Sequence, residues 1–367
     1  MKVHERRSQL IGVLADPKVA DSFDNAQWSA LIASARSSNL LGALAECVSC
    51  RGIANNQFAN RHLEGAKQLS ARQRQSVFWE VHQLQATLGK LRIPVLLLKG
   101  AAYVMSNREV AKGRLFGDVD ILVPRDALDD VESQLMLNGW VSAKTSDYDQ
   151  RYYRKWMHEI PPMMHVRRGT VIDVHHTILP LTGRNSPDPM QIIARSTPIG
   201  LNDLDAIRVP CPEDLVIHSI THLVHESELH NGLRDLRDID CMTRDFSKDP
   251  AFWTRLARFA SGNDLAQPVL LGLQLAKMVF ATPVPNTVTA QLMANGHAVL
   301  PAGWLMSAFD KALEPAHCDG SDLRASFAKW LLYVRAHSLR MPLPLLSRHL
   351  AVKAWMGLQE KFGPTPK

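Results

Sequence analysis

The chain has 367 residues, 46% hydrophobic and 21% charged, with 42 basic against 36 acidic side chains. That balance supports a buried core and two or three domains. It excludes wholesale disorder, a collagen-like or Pro-rich linker protein, and a membrane span, because no run approaches about 18 apolar residues. Five cysteines are odd in number and do not form a disulfide framework, which points to a reducing, cytoplasmic setting. The start, MKVHERRSQLIGVLADPKVA, has no long apolar h-region and does not read as a secretory signal. The net charge of +6 is carried by residues 327–367, where seven cations face the single acid Glu360. The rest of the chain is neutral, so a general nucleic-acid coat is not indicated, while a local anion-binding tail is.

In chain order, residues 1–88 read as a helical region. Apolar residues recur at three- and four-residue spacing in NAQWSALIASARSSNLLGALAECV, with Ser38 or Asn39 placed to cap a helix, and again in ARQRQSVFWEVHQLQATLGKL. Residues 89–180 change texture. IPVLLLKG reads as a buried strand ending at a strand-to-helix turn, followed by a short helix to about Asn107. DVDILVP is a second strand, Arg125 to Asn138 an amphipathic helix ended by Gly139, and GWVSA a third strand. PPMMHVRRGTVIDVHH reads as a hairpin turning at Arg168-Gly169. The Pro-, Asn-, Asp- and Ser-rich stretch after Pro180 reads as a linker. From Pro212 the chain is helical again, giving a C-terminal helical domain over 181–367 with its basic tail.

Chemistry concentrates in the middle region. Residues two apart on a strand share a face, so Asp118 and Asp120 place two carboxylates side by side. Two close carboxylates repel unless a cation lies between them, and hard oxygen ligands of this kind suit Mg²⁺ with substrate phosphates. Asp-x-Asp alone is common on exposed edge strands, and its context is what makes it informative. Upstream, Gly100 lets the backbone approach a phosphate at a helix start, and Lys99 adds a point charge. Downstream, Asp173 lies between Ile172 and Val174 on a strand, where a third carboxylate can join the first two.

A strand ending in Leu98-Lys99-Gly100, a short helix, an apolar-flanked Asp118-Val119-Asp120 and a later Ile172-Asp173-Val174-His175 together resemble the DNA polymerase β-like nucleotidyltransferase superfamily. Arg114, ahead of the acid pair, fits the same pattern. The particular form resembles the bacterial family labelled uncharacterised nucleotidyltransferase. The likeness is strongest over Ile93–Val174 and extends more weakly to His218–Cys241, through His218/His222, His225 and Leu233-Arg234-Asp235-Leu236-Arg237-Asp238-Ile239. Ala101 stands where the superfamily commonly has a phosphate-touching Ser. The resemblance implies an α+β fold: a small mixed sheet core flanked by N- and C-terminal helical regions, the latter forming the other wall of a cleft. It implies transfer of a nucleoside monophosphate from NTP, with ATP favoured, to a hydroxyl-bearing acceptor and release of pyrophosphate. Asp118, Asp120 and Asp173 would hold two Mg²⁺ ions, and Asp173 would help remove the acceptor's proton. Lys99, Gly100, Ala101 and Arg114 would bind the triphosphate. Two alternatives stand beside it: a toxin-like transferase acting on tRNA or protein, and a nucleotide-binding scaffold that transfers nothing.

Weaker signals have plainer readings. His218, His222 and His225 share a helix face, which suits a polar wall turned to the cleft better than a zinc site. Asp238 is placed to pair with Arg234, four residues earlier. Cys47 and Cys50 form Cys-x-x-Cys without a second pair or a thioredoxin-like context, and read as two helical cysteines. In 327–367, cations interleave with Trp330, Tyr333, Trp355 and Phe362. Such a stretch can bind RNA or lie on an anionic membrane surface, but is more often an amphipathic helix packed on its own domain.

Overall fold

A computed structural model describes residues 3–49, 56–144, 146–200, 206–315, 323–342 and 344–347. The N-terminal helices are α1 (Val3–Ala15), α2 (Asn25–Ser37), α3 (Leu41–Ser49) and α4 (Gln57–Leu88). Asp24 starts α2 with a reciprocal cap: its carboxylate accepts from the Gln27 amide and the Gln27 side chain accepts from the Asp24 amide. Neither residue expected to cap α3 does so. Ser38 ends α2, and Asn39 turns the chain at φ 54° and donates its Nδ2 to Asn231. Cys47 is free near the end of α3 and Cys50 lies outside the described residues.

At 32 residues, α4 is about 48 Å long, and this length lets one helix serve two cores. Ala59 and Leu63 pack with Leu10, Trp28, Leu31 and Leu44 in a small N-terminal cluster. Val77, Val81, Leu84 and Leu88 pack about four turns later into the main core against the sheet. Its start is capped by Asn56, whose side chain accepts from the Ala59 amide at 3.0 Å.

The main core forms around a seven-stranded mixed sheet. Its strands are β1 (Val95–Leu97), β2 (Asp118–Leu122), β3 (Trp140–Ser142), β4 (Met163–His165), β5 (Val171–His175), β6 (Thr197–Pro198) and β7 (Ile207–Val209), in the order β3-β4-β5-β2-β1-β7-β6. β1 and β2 are antiparallel, β2 and β5 parallel, and β4 and β5 form the expected antiparallel hairpin, with Gly169 at φ +70° in its turn. The helices between them are α5 (Lys99–Met105), α6 (Leu128–Leu137) and α7 (Asp147–Trp156). The stretch after Pro180 is more than the linker expected from its composition. It contains α8 (Pro189–Arg195) and the β6–β7 pair, and β7 joins the sheet parallel to β1. Strands of two and three residues carry too little hydrophobic alternation to stand out in such a sequence.

Beyond the sheet come α9 (Pro212–His225), α10 (Gly232–Phe246), α11 (Phe252–Gly262), α12 (Ala266–Phe280), α13 (Asn286–Gly296), α14 (Gly303–Ala312) and α15 (Leu323–Arg340). Their buried faces continue the core of the sheet without a break, from Leu96 and Ile121 through Ile220, Ile239 and Leu273 to Leu332. α15 turns Ala328, Leu332 and Ala336 inward, and Arg335 donates to the Val224 carbonyl at 2.9 Å. Phe327 and Trp330 on the same helix stay exposed, so α15 packs through its small and aliphatic side chains and not through those aromatics. Residues 348–367 lie outside the described residues. No described helix is long and apolar enough to cross a membrane.

Candidate active site

The parallel register of β2 and β5 brings the acids together. Asp120 and Asp173 are direct cross-strand partners, and Asp118 lies two residues back on the same face as Asp120. One carboxylate oxygen from each of the three lies within 4.8 Å of the others. Three carboxylates so close work against one another's ionisation. Asp118, at the exposed end of β2, has its carboxyl pushed up by the charge of Asp120 and then by burial. Asp173 is pushed up to about 7, by burial first and then by Glu159 and Asp120. Burial also pushes Asp120 up, but Lys99 and His175 outweigh it and hold this carboxyl well below the usual range. Asp173 Oδ1 is buried with no hydrogen-bond partner among the described residues. Three hard oxygens that repel one another, one of them without a donor, fit a divalent cation.

Lys99 reaches this cluster because the backbone bends sharply at it. Leu98 is extended, Lys99 takes φ 43°, and α5 begins at once. The Nζ donates to Asp120 Oδ1 at 2.8 Å. Burial alone would lower the Lys99 ammonium's pKa, but Asp120 holds it above its ordinary value. Gly100 has a packing reason beyond any phosphate: a Cβ there would lie 2.5 Å from Phe116 Cδ1 and 2.6 Å from Arg114 Nη1. Ala101, next in α5, is buried.

Arg114 has a partner the sequence did not suggest. Its Nε donates to Asp238 on α10 at 2.7 Å, and its guanidinium lies over the rings of Tyr103 and Phe116 at 5.4 and 5.3 Å. The Arg234–Asp238 pair expected from helical spacing does not form. Arg234 bonds Asp235 at 2.7 Å, leaving Asp238 to Arg114. The loop that brings Arg114 here is held by a close backbone crossing. Gly113, at φ +70°, passes Gly42 of α3 so closely that a Cβ on either residue would strike the other's backbone.

The histidine face of α9 divides. His218 is buried, and burial pushes its imidazole down to about 3, with Lys99 and His175 acting in the same direction. His222, partly buried, lies 3.3 Å from Glu226. His225 belongs elsewhere: it donates Nδ1 to the Thr221 carbonyl at 2.9 Å, feels Arg335 and Arg340, and is pushed down to about 4, mainly by burial. Among the described residues no group of converging metal-ligating atoms includes any of the three.

Two features of the site escape sequence reading. The first is a knot of His158, Glu159 and His175, the last of them buried, whose ligand atoms lie within 4.8 Å of one another. His175 Nε2 is 3.1 Å from Asp120 Oδ1 and 3.4 Å from Glu159 Oε2. His175 follows the third acid and is visible in the sequence; His158 and Glu159 precede a Pro-Pro segment and carry no motif. The second is a cavity of about 660 Å³ that reaches Asp118 and is lined by Arg72, Gln75 and Trp79 of α4 with Arg168 and Thr170 of the hairpin. Arg168 spans the rings of Trp79 and Trp140, each at 5.3 Å, and bonds Glu80 through Nε at 3.0 Å. The N-terminal helical region thus supplies a wall beside Asp118, besides the cleft wall expected from the C-terminal helices.

No curated protein matches this chain. Residues 24–281 match the family described as uncharacterised nucleotidyltransferase, a span that runs from α2 to the end of α12 and takes in the whole sheet and all three acids. The chain belongs to this uncharacterised nucleotidyltransferase family.

Proposed function

We propose that the chain transfers a nucleoside monophosphate from NTP, with ATP the favoured donor, to a hydroxyl-bearing acceptor, releasing pyrophosphate. The observation that carries this reading is the register pairing of Asp120 with Asp173 beside Asp118. In it, Asp118, Asp120 and Asp173 hold Mg²⁺, two ions in the form the family resemblance implies. The bound metal supplies positive charge for the triphosphate and lowers the pKa of the attacking hydroxyl.

The remaining roles fall to the chain itself. Lys99 fixes one oxygen of Asp120 and keeps that carboxylate ionised in a buried position. The Gly100 and Ala101 amides at the turn approach the phosphates. Arg114, already paired with Asp238, serves by holding that turn in place. Asp173 would help to take the acceptor's proton, as the family resemblance implies. The cavity reaches Asp118, alone of the three acids. The alternative acceptors, tRNA or protein, drew their support from the basic tail.

Calorimetry with Mg²⁺ and ATP tests the reading, with wild type beside Asp118→Asn/Asp120→Asn. Binding by wild type, loss in the variant with an unchanged far-UV spectrum, and label transfer from α-labelled ATP are the expected results. No binding of any NTP, or equal binding by both proteins, overturns it.

A further inference from the structure

We infer that His175 is a positioning residue for Asp120, holding one carboxylate oxygen so that the other is presented for metal. This rests on the reading of Asp118, Asp120 and Asp173 as metal-holding residues. Asp120 Oδ1 accepts from two donors, Lys99 Nζ at 2.8 Å and His175 Nε2 at 3.1 Å. Oδ2 takes no hydrogen bond from the described residues. Two donors on one oxygen fix the plane of the carboxylate about its Cβ–Cγ bond and leave a single oxygen free on a known side.

His175 is itself held. Its side chain is 2% exposed, its ring lies 5.0 Å from that of His158, and Glu159 Oε2 is 3.4 Å from its Nε2. It is also the last residue of β5, two beyond Asp173. The strand that contributes the third acid therefore also contributes the clamp on the second, and the relative position of the two is set by one short piece of backbone. Partners of this kind orient a ligating group, and their removal weakens metal binding by about 10–100-fold.

The histidine knot invites another reading, that His158, Glu159 and His175 bind a metal of their own. Two observations favour positioning. His175 Nε2 is already committed to Asp120, and the Nδ1 atoms of both His158 and His175 are buried without a partner, whereas a ligating imidazole nearly always has its second nitrogen hydrogen-bonded.

The test uses the full chain with Mn²⁺ alone as the probe, titrated by calorimetry or by loss of the free-ion resonance signal. No acceptor or nucleotide is needed. Wild type is expected to bind Mn²⁺, Asp120→Asn to lose it, and His175→Ala to weaken it about 10–100-fold while keeping the far-UV spectrum of the folded chain. His175→Gln, whose amide can donate to the same oxygen, is expected to restore most of the affinity, and it carries the test if His175→Ala does not fold. Glu159→Gln is expected to change little. Wild-type affinity in His175→Ala, or in a glutamine variant matched by His175→Leu, overturns the inference and leaves the carboxylate site standing. A loss in Glu159→Gln equal to that of Asp120→Asn overturns it in favour of the histidine knot as ligands. No Mn²⁺ binding by wild type overturns the carboxylate reading and this inference with it.

Discussion

Two buried acid–base pairs adjoin the Lys99–Gly100 turn. Arg114–Asp238 joins the loop before β2 to α10 at 2.7 Å, with two aromatic rings against the guanidinium. Lys99–Asp120 is nearly the same length, 2.8 Å, but its acid stands next to Asp118 and Asp173, and Asp173 keeps an oxygen with no donor. The first pair is surrounded by packing; the second is surrounded by unspent negative charge. The contrast teaches that burial and pairing alone do not mark a site. What marks it is carboxylate charge in excess of the donors that surround it, which costs stability until something cationic arrives.

The largest expected effect breaks the packed pair. Arg114→Met leaves Asp238 buried without its cation. Burial already pushes that carboxyl up in spite of Arg114. Such a break costs about 3–5 kcal/mol, and replacing both partners by apolar residues recovers most of it. Urea unfolding of Arg114→Met and of Arg114→Met/Asp238→Leu measures both; a single variant as stable as wild type would remove this pair from the architecture.

The next effect comes with acid. His218 and His225 are held neutral, at about 3 and about 4, below the ordinary histidine value of about 6.5. Between those values and about 6.5 the unfolded chain binds protons that the folded chain refuses. Their contribution is thus fully present above about pH 6.5 and is lost on acidification, at up to about 1.4 kcal/mol per pH unit for each histidine. Urea midpoints between about pH 7 and pH 5 should fall, and His218→Asn should flatten the slope.

The smallest effect has the opposite sign. Asp173→Asn removes one of three crowded charges, and without metal it should raise stability by about 1 kcal/mol while Mg²⁺–ATP binding is lost. Thermal melts in chelator read the gain. A loss of stability instead would mean that Asp173, like Asp238, is there to hold the fold.

Much of the sheet was legible, because β1, β2 and β5 are buried runs of Val, Ile and Leu bounded by Gly or Pro, and the acids interrupt them at fixed spacing. The β6–β7 edge was not, since its short strands carry no pattern and β7 earns its place only by pairing with β1. The Asp238 partner was misread because an i, i+4 spacing measures proximity along one helix, and a guanidinium arriving from a distant loop can compete for the same oxygen. Ser38 and Asn39 were misread because Asn favours left-handed turns as well as caps, and Asn39 takes the turn at φ 54° while Ser38 ends α2.

The sequence by itself carried the family likeness that implies the class of fold, and it marked the strands and the turn around Asp118, Asp120 and Asp173, because strand alternation and local turn chemistry are properties of neighbouring residues. The tertiary structure alone decided that Asp120 faces Asp173, that Glu159 and His158 close on His175, and that α4 walls the cavity at Asp118. Those juxtapositions depend on register between strands and on the reach of a helix about 48 Å long, and neither is written within any one segment of chain.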